Sequence, residues 1–242
     1  MRGIDALRMR RPVSGATDPY WTSVKLLLGF EGSDGSTTIT DESSAARGSA
    51  TVAGAAQIDT AQFKYGAAAL LLDGTGDYIS FPDSNDWDFG AGEFTVEAWA
   101  RFSTGQTSDW CIASQWSATG SNAAWALWWF STSVGFRFTD SGGVTRDAFV
   151  SMTINADTWY HIAVDRDATG KVRIYQDGAY KGGTTNGQTI QASTNALRIG
   201  TVQDFPTYDL GGWLDEVRIT KGAARYASDS GFTVPAAAYP RS

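Results

Sequence analysis

The longest alternating run of the sequence, residues 93–102, constrains the fold more than any other feature. Apolar side chains occupy every second position, which is the period of a β-strand. The opposite face carries Trp99 among polar residues. A strand with an aromatic residue on both faces is typical of the centre of a β-sandwich, where each face is covered. The run therefore predicts a central strand, with an apolar face formed by Phe94, Val96, Ala98, Ala100 and Phe102.

Shorter runs of the same kind recur along the chain, separated by Gly, Ser, Asn and Asp. Residues 24–30 predict the first strand, and the aromatic-rich stretch 110–138 predicts three more. Residues 166–170 predict a hairpin turn, and the Asp-Gly-Thr-Gly-Asp stretch at 73–77 predicts a turn between two strands. The 27 glycines recur between β-branched and aromatic runs, and no long helical period is present. We therefore expect an all-β protein.

The stretch 211–226 predicts a closing strand followed by a short basic turn. At strand period, Asp215 shares a face with Val217 and Ile219. A carboxylate in line with apolar residues needs donors or a cation, because burying it unpaired is costly. Backbone amides and a bound hard cation are both solutions.

Charge is distributed unevenly along the chain. The formal net charge of −7 argues against nucleic acid or an anionic membrane as the main partner. Residues 1–22 lack strand alternation and predict an arm or linker, which leaves the β-domain at 23–242. The chain start has no apolar stretch of the signal-peptide kind, and no run reaches the length of a membrane span. The arm is basic through Arg2, Arg8, Arg10 and Arg11.

Several motifs in a fixed order carry a resemblance to a known family. They are residues 30–31, 65–66, 71–84, 94–99, 158–164, 174–178, 197–200 and 214–219. Together they resemble the laminin-G-like jelly-roll domains of the concanavalin A-like lectin and glucanase superfamily. The leucine-rich first strand, the long Ser/Thr loop and the ending at 223–226 are also similar to versions found in virion proteins of tailed phages.

The resemblance implies an antiparallel jelly-roll sandwich of two facing sheets. It also implies that the first and last core strands are neighbours, so that Glu31 would lie near Asp215. Members of this family frequently bind calcium or a sugar, but some bind neither, so the fold alone does not define the function.

Acidic residues in loops and at strand ends are the candidates for a calcium site. Calcium prefers oxygen ligands, which flexible acidic loops supply. Capping of turns by aspartate explains the same residues without a metal, and no EF-hand loop is present. Calcium is the one cofactor that the sequence suggests, with candidate ligands Asp215, Asp73, Asp77, Glu31 and Asp41.

A dense group of tryptophans is the candidate for a ligand or interface surface. A flat aromatic ring stacks on a sugar face, and an outward tryptophan can equally anchor a protein partner. Most tryptophans of a sandwich belong to its core, and two neighbours in one strand point to opposite faces. We therefore expect one of Trp128 and Trp129 to point outward. The candidates are Trp125, Trp128, Trp129, Trp110 and Trp116.

Catalytic patterns are absent from the sequence. His161 is the only histidine and lies inside a predicted strand, which favours a structural role. Hydrolytic triads of serine or cysteine need a base that this chain barely has. Glu93 and Glu97 share a strand face but would lie about 13 Å apart, too far for retaining glycoside hydrolysis. We therefore expect a protein that is not an enzyme.

These features lead to the hypothesis of a structural protein in the phage particle, either an exposed decoration subunit or a tail-associated subunit. Its expected partners are other virion proteins and host cell-surface glycans, within a homo-oligomer or multi-copy assembly. One alternative is a free, calcium-assisted carbohydrate-binding module. The other is a polysaccharide hydrolase or lyase.

Overall fold

The computed structural model describes residues 17–104, 109–117, 122–130 and 132–242. The two short 3-10 helices in these ranges are Trp21–Ser23 and Pro206–Tyr208, and neither is long enough to cross a bilayer. The strands are β1 (Val24–Leu28), β2 (Thr51–Ala53), β3 (Gln57–Asp59), β4 (Ala69–Asp73), β5 (Tyr78–Phe81), β6 (Phe94–Phe102), β7 (Trp110–Gln115), β8 (Trp125–Phe130), β9 (Ser133–Thr139), β10 (Thr145–Ser151), β11 (Trp159–Arg166), β12 (Lys171–Gln176), β13 (Ala179–Thr185), β14 (Leu197–Ile199) and β15 (Gly211–Lys221).

The strands form two sheets that face each other. The eight-stranded sheet has the order β13-β12-β11-β6-β15-β4-β3, with β1 also paired to β15. The seven-stranded sheet has the order β10-β9-β8-β7-β14-β5-β2. Neighbouring strands pair antiparallel in both sheets. The predicted all-β jelly-roll sandwich is confirmed.

The predicted central strand is β6, which lies between β11 and β15. All five residues of its apolar face belong to the core between the two sheets. The predicted hairpin joins β11 to β12, and the stretch 110–138 contains β7, β8 and β9. In these segments the period-two pattern was sufficient to predict the strands, because one face of each strand packs against the opposite sheet.

The turn at residues 73–77 does not close a hairpin. Gly74 and Gly76 have φ of +87° and +74°, as expected for a tight turn. The strands on either side, however, belong to different sheets, β4 to the eight-stranded sheet and β5 to the seven-stranded one. The turn therefore carries the chain from one layer of the sandwich to the other.

β15 pairs with β1, as the resemblance implied, but its predicted side-chain alternation is wrong in the middle. Glu216 has φ of +49°, and the register with β6 shifts between Asp215 and Arg218. This β-bulge puts both Leu214 and Val217 into the core. Asp215 consequently lies on the outer face of the sheet and not in line with Val217.

The C-terminal segment, residues 222–242, covers part of that outer face over a buried polar network. Glu97 lies at its centre and accepts from Arg218 at 2.7 Å and from the Tyr239 hydroxyl at 3.1 Å. Burial alone would raise the pKa of Glu97, but Arg218 and His161 outweigh it and hold that pKa well below its usual range. His161 contacts Glu97 through Nε2 at 3.1 Å and is fully buried, so it serves the packing of this face.

The first described residues pack on the same face. Asp18 is buried and forms ion pairs with Arg218 and Arg225, and Trp21 packs beside Leu27. The basic arm residues Arg2, Arg8, Arg10 and Arg11 lie outside the described part of the chain. The arm over 1–22 and the domain over 23–242 therefore stay a prediction.

Candidate ligand-binding cleft

A cleft of about 330 Å³ lies on the outer face of the seven-stranded sheet. Its floor is formed by side chains of β8 and β9, including Trp128 and Arg137. A wall is added by residues 201–209, which carry Phe205 and Tyr208. This segment is held on the sheet by a parallel bridge between Ser117 and Gln203.

Alternation along β8 decides which tryptophan reaches the cleft. Trp125 and Leu127 point into the main core between the sheets. Ala126 and Trp128 point to the other side, where they form a second apolar cluster with Trp116. Trp128 is thus the outward member of the adjacent pair, as predicted.

The rings of the cleft are packed against one another. Tyr208 stacks on Trp128, with ring centroids 5.1 Å apart and planes 21° apart. Trp116 lies 6.2 Å from Trp128, and Phe205 meets Tyr208 edge to face at 5.2 Å. These contacts fix the orientation of the rings before a ligand binds. Less side-chain conformational entropy is therefore lost on binding.

A glycine in β9 allows this packing. Gly135 lies opposite Trp128 on one side and Phe149 on the other. A Cβ atom at Gly135 would lie 2.1 Å from a ring carbon of Phe149, so Phe149 can lie over the strand only if residue 135 has no side chain. The result is a row of Phe149, Gly135 and Trp128 across three neighbouring strands.

Polar groups line the cleft between the rings. They are side chains of Ser117, Thr139, Thr145 and Gln191, together with Arg137. The indole Nε1 of Trp128 is buried and has no hydrogen-bond partner in the described part of the chain. A buried donor without an acceptor is unfavourable.

Tyr208 presents a protonated hydroxyl. Burial raises the pKa of Tyr208 above its ordinary value, and the negative charge of Asp109 raises it further against the opposing effect of Arg137. At neutral pH the hydroxyl therefore remains both a donor and an acceptor.

The five predicted tryptophans divide between the cleft and the core. Trp116 and Trp128 line the cleft. Trp110 and Trp125 are buried between the sheets, and Trp129 is partly buried against the same core, stacked on Trp110 at 5.6 Å. The sequence could not separate the two groups, because all five belong to strands or their ends and the assignment depends on which sheet face each one meets.

The cleft residues outside these tryptophans were missed by the sequence analysis. Residues 201–209 have no strand alternation and are typical of a loop, although Phe205 and Tyr208 are unusual residues for an exposed connection. An aromatic pair in a polar loop was the available signal. The fold of that loop onto β7 and β8 depends on tertiary contacts and leaves no periodic pattern.

The predicted acidic residues accept hydrogen bonds from backbone amides. Asp215 accepts from the amides of Lys64 and Tyr65 at 2.9 and 2.8 Å, and from that of Glu216 at 2.8 Å. Glu31 accepts from the amide of Ala67 in the same loop, so it does lie near Asp215, as the resemblance implied.

The other three acids cap turns elsewhere. Asp41 accepts from the amides of Leu27 and Ser43 at 3.0 and 2.9 Å. Asp77 accepts from Asp73 at 2.8 Å, and Asp73 in turn caps its own turn. Within residues 17–104, 109–117, 122–130 and 132–242, no group of three or more His, Cys, Asp or Glu is arranged to hold a metal ion. The calcium site stays a prediction.

Comparison with known protein families gives one match over most of the sandwich. Residues 73–227 match the profile of a family described as the concanavalin A-like lectin/glucanases superfamily. This range includes the whole of the cleft and both strands beside β6 up to the C-terminal turn. Comparison with curated protein sequences gave no match.

Solved structures share the fold at low sequence identity. The binding domain of Paraclostridial Mosquitocidal Protein 1 is 16% identical, with a TM-score of 0.67 over 85% of this chain and 50% of that one. A structure concerned with the interaction of botulinum neurotoxin type C with two ganglioside molecules is 13% identical, with a TM-score of 0.60 over 84% of this chain and 49% of that one. The chain spans about half the length of these structures.

A third structure matches along nearly its whole length. It is domain 4 of AbnA, a GH43 extracellular arabinanase from Geobacillus stearothermophilus, in complex with arabinotriose. The two chains are 18% identical, with a TM-score of 0.61 over 83% of this chain and 93% of that one.

Proposed function

Since the chain belongs to the concanavalin A-like lectin/glucanase superfamily, we propose that it is a carbohydrate-binding protein whose ligand occupies the cleft on the seven-stranded sheet. The observation that carries this proposal is the pairing of pre-packed aromatic rings with polar side chains in one concave site. Aromatic faces pack against the C–H faces of sugars, and the polar groups bind hydroxyls.

The AbnA domain supports the proposal by analogy, because the same fold was solved there with a bound oligosaccharide.

The chemistry of the cleft supports binding without catalysis. Glycoside hydrolysis generally uses a pair of carboxyl groups that flank the scissile bond. Among the described residues, those lining the cleft include no Asp, Glu or His. His161 and Glu97 are fully buried under the C-terminal segment, so neither is open to a substrate.

The first experiment is a glycan array with the full chain, followed by calorimetry on the oligosaccharides that bind. Tyr208→Ala should weaken binding about tenfold, because it removes a ring that contributes stacking. Phe63→Ala is the matched control: this ring is 44% exposed in the connection between β3 and β4, and its loss should leave the affinity unchanged. If no glycan binds, or if both variants bind like the wild type, the proposal is wrong.

A role in a phage particle is a second proposal, which rests on the sequence resemblance of the first strand and the 223–226 ending. A virion protein should co-sediment with purified particles. Replacing Arg2, Arg8, Arg10 and Arg11 with alanine tests the arm as the attachment and spares Asp18, which is buried in the domain. Continued co-sedimentation of that variant would rule out the arm as the anchor.

A further inference from the structure

From the charges around the cleft, we infer that its ligand is a neutral glycan and that Asp147 enforces this preference by neutralising Arg137. The inference rests on the proposed function and specifies the class of carbohydrate. It follows from how Arg137, a charged residue of the cleft lining, is paired.

Arg137 is the one charged side chain lining the cleft in the described part of the chain. It faces Asp147 directly across β9 and β10. Its Nε and Nη2 donate to the two carboxylate oxygens of Asp147 at 2.6 and 3.0 Å, which is a bidentate ion pair. The guanidinium also lies 4.6 Å from the ring centroid of Trp128 and 5.7 Å from that of Phe149. Arg137 is therefore held in one position and its charge is matched.

Arg146 of β10 does not line the cleft, and its charge is matched in the same way. Arg146 donates to Asp140 through Nε at 2.9 Å, and its Nη2 lies 2.8 Å from the same oxygen. Asp140 also accepts from the amides of Val144 and Gly142, and these bonds with Arg146 hold its pKa below the usual value. Asp140 is therefore ionised at neutral pH and compensates Arg146.

Two further carboxylates lie next to cleft residues. Asp204 accepts from the hydroxyl of Ser117, a cleft residue, at 2.7 Å. Asp109 is close enough to Tyr208 to raise its pKa. Outside the described residues, the internal stretches 105–108, 118–121 and 131 contain no charged residue, whereas residues 1–16 contain the four arginines of the arm.

An acidic sugar in the cleft would place its carboxylate or sulfate beside Arg137, the one charged lining residue in the described part of the chain, whose charge Asp147 already matches. Desolvating an anion without a partner is costly, and like charges nearby add to the cost. Neutral hydroxyls, in contrast, match the amide, hydroxyl and indole groups of the cleft. The site is thus selective through repulsion as well as through attraction.

Calorimetry at low salt with two classes of probe, neutral and acidic, tests the preference. Arabino-oligosaccharides and neutral hits from the array should bind, whereas oligogalacturonate and sialyllactose should not. The variant lacking residues 2–16 serves as a control for anion binding by the basic arm. If that variant binds the acidic probes more tightly than the neutral ones, the inference is wrong but carbohydrate binding stands. If no glycan binds at all, the proposed function itself is wrong.

A gain of function tests the role of Asp147. Asp147→Asn keeps the side-chain size and leaves the charge of Arg137 unmatched. The affinity for an acidic probe should therefore increase at least about tenfold, which is the gain expected from one hydrogen bond to a charged group. Neutral-glycan affinity should change by less than about twofold, since Asp147 does not line the cleft.

Two further variants separate this effect from a general change in charge. Asp157→Asn breaks the comparable pair with Arg101 on the other sheet and should gain nothing. The double variant Asp147→Asn with Arg137→Gln should lose the gain. If Asp147→Asn folds and still rejects acidic glycans, Asp147 is not the determinant and the inference fails.

Discussion

At the scale of single residues, Asp165 shows how burial and hydrogen bonding oppose each other. Its carboxylate is inaccessible to solvent and accepts from the amides of Tyr226 and Ala227 at 3.2 and 2.7 Å. Burial raises the pKa of Asp165 to about 6, although the two amides act in the opposite direction. The folded protein therefore holds a proton at Asp165 at pH values where the unfolded chain has released it.

The sign of the resulting pH dependence follows from linkage. A raised pKa in the folded state means that the contribution to stability is complete below the unfolded value, near pH 4, and is lost as the pH rises through about 6. Asp165→Asn mimics the neutral form and can still accept from both amides. We expect the variant to gain about 2 to 3 kcal/mol relative to the wild type between pH 4 and 7.

Urea unfolding of both proteins at several pH values measures this difference. Taking the difference between variant and wild type removes the contributions of the other titrating groups, including Glu97. Two parallel stability curves would show that Asp165 does not titrate in this window.

At the scale of elements, the bulge in β15 determines how the C-terminal segment is attached. The bulged residue, Glu216, is fully buried and accepts from the amide of Tyr239 at 2.7 Å. Its two carboxylate oxygens also accept hydrogen bonds from Nη1 and Nη2 of Arg241, both at 2.9 Å. One extra residue in a strand thus creates the acceptor that fixes the end of the chain.

Removing this acceptor should be strongly destabilising. Glu216→Ala leaves Arg241 and the Tyr239 amide without their partner, and we expect a loss of roughly 3 kcal/mol in the free energy of unfolding. Glu216→Gln keeps the shape and one acceptor, so its loss should be clearly smaller. Chemical denaturation measures both, and equal stability of Glu216→Ala and the wild type would contradict the assignment.

The same strand shows how far the sequence could predict the structure. Strands β6 and β15, their place in a sandwich and the pairing of β1 with β15 follow from alternation and motif order. The bulge could not be predicted in this way, because the hydrophobic pattern is compatible both with a regular strand and with a strand that has one extra residue. Because of that single extra residue, the sequence predicted Asp215 on the wrong face of the sheet. Its donors, the backbone amides, were one of the two solutions considered.

The cleft was less predictable than the fold for a related reason. Trp116 and Trp128 were among the candidates, but nothing local distinguishes them from Trp110 and Trp125, which are buried between the sheets. Tyr208 comes from a loop whose position depends on contacts with a distant strand. Strand periodicity describes one sheet at a time, whereas a site between a sheet and a loop depends on how both pack together.

At the scale of the whole molecule, the two ends of the described chain and the cleft lie on opposite outer faces of the sandwich. The amide of Asp18 donates to the carbonyl of Ser242 at 2.7 Å. Asp18 bonds Arg218 on the eight-stranded sheet, and Tyr239 packs beside β1 of the same sheet. The cleft lies on the outer face of the seven-stranded sheet, so both layers of the sandwich separate it from the ends.

This arrangement predicts how attachment affects binding. Protein immobilised through a C-terminal tag, or through an N-terminal tag on the variant lacking residues 2–16, should bind a glycan with the same affinity, because both attachment points lie on the face opposite the cleft. Protein immobilised through biotin on Thr145→Cys, after Cys111→Ala removes the native thiol, should bind at least about tenfold more weakly, since Thr145 lines the cleft and blocking a site removes its contacts. Biolayer interferometry with all three orientations makes the comparison, with unlabelled Thr145→Cys in solution as the control for the substitution itself. Equal binding in the three orientations would place the ligand on a different face of the molecule and contradict the proposed cleft.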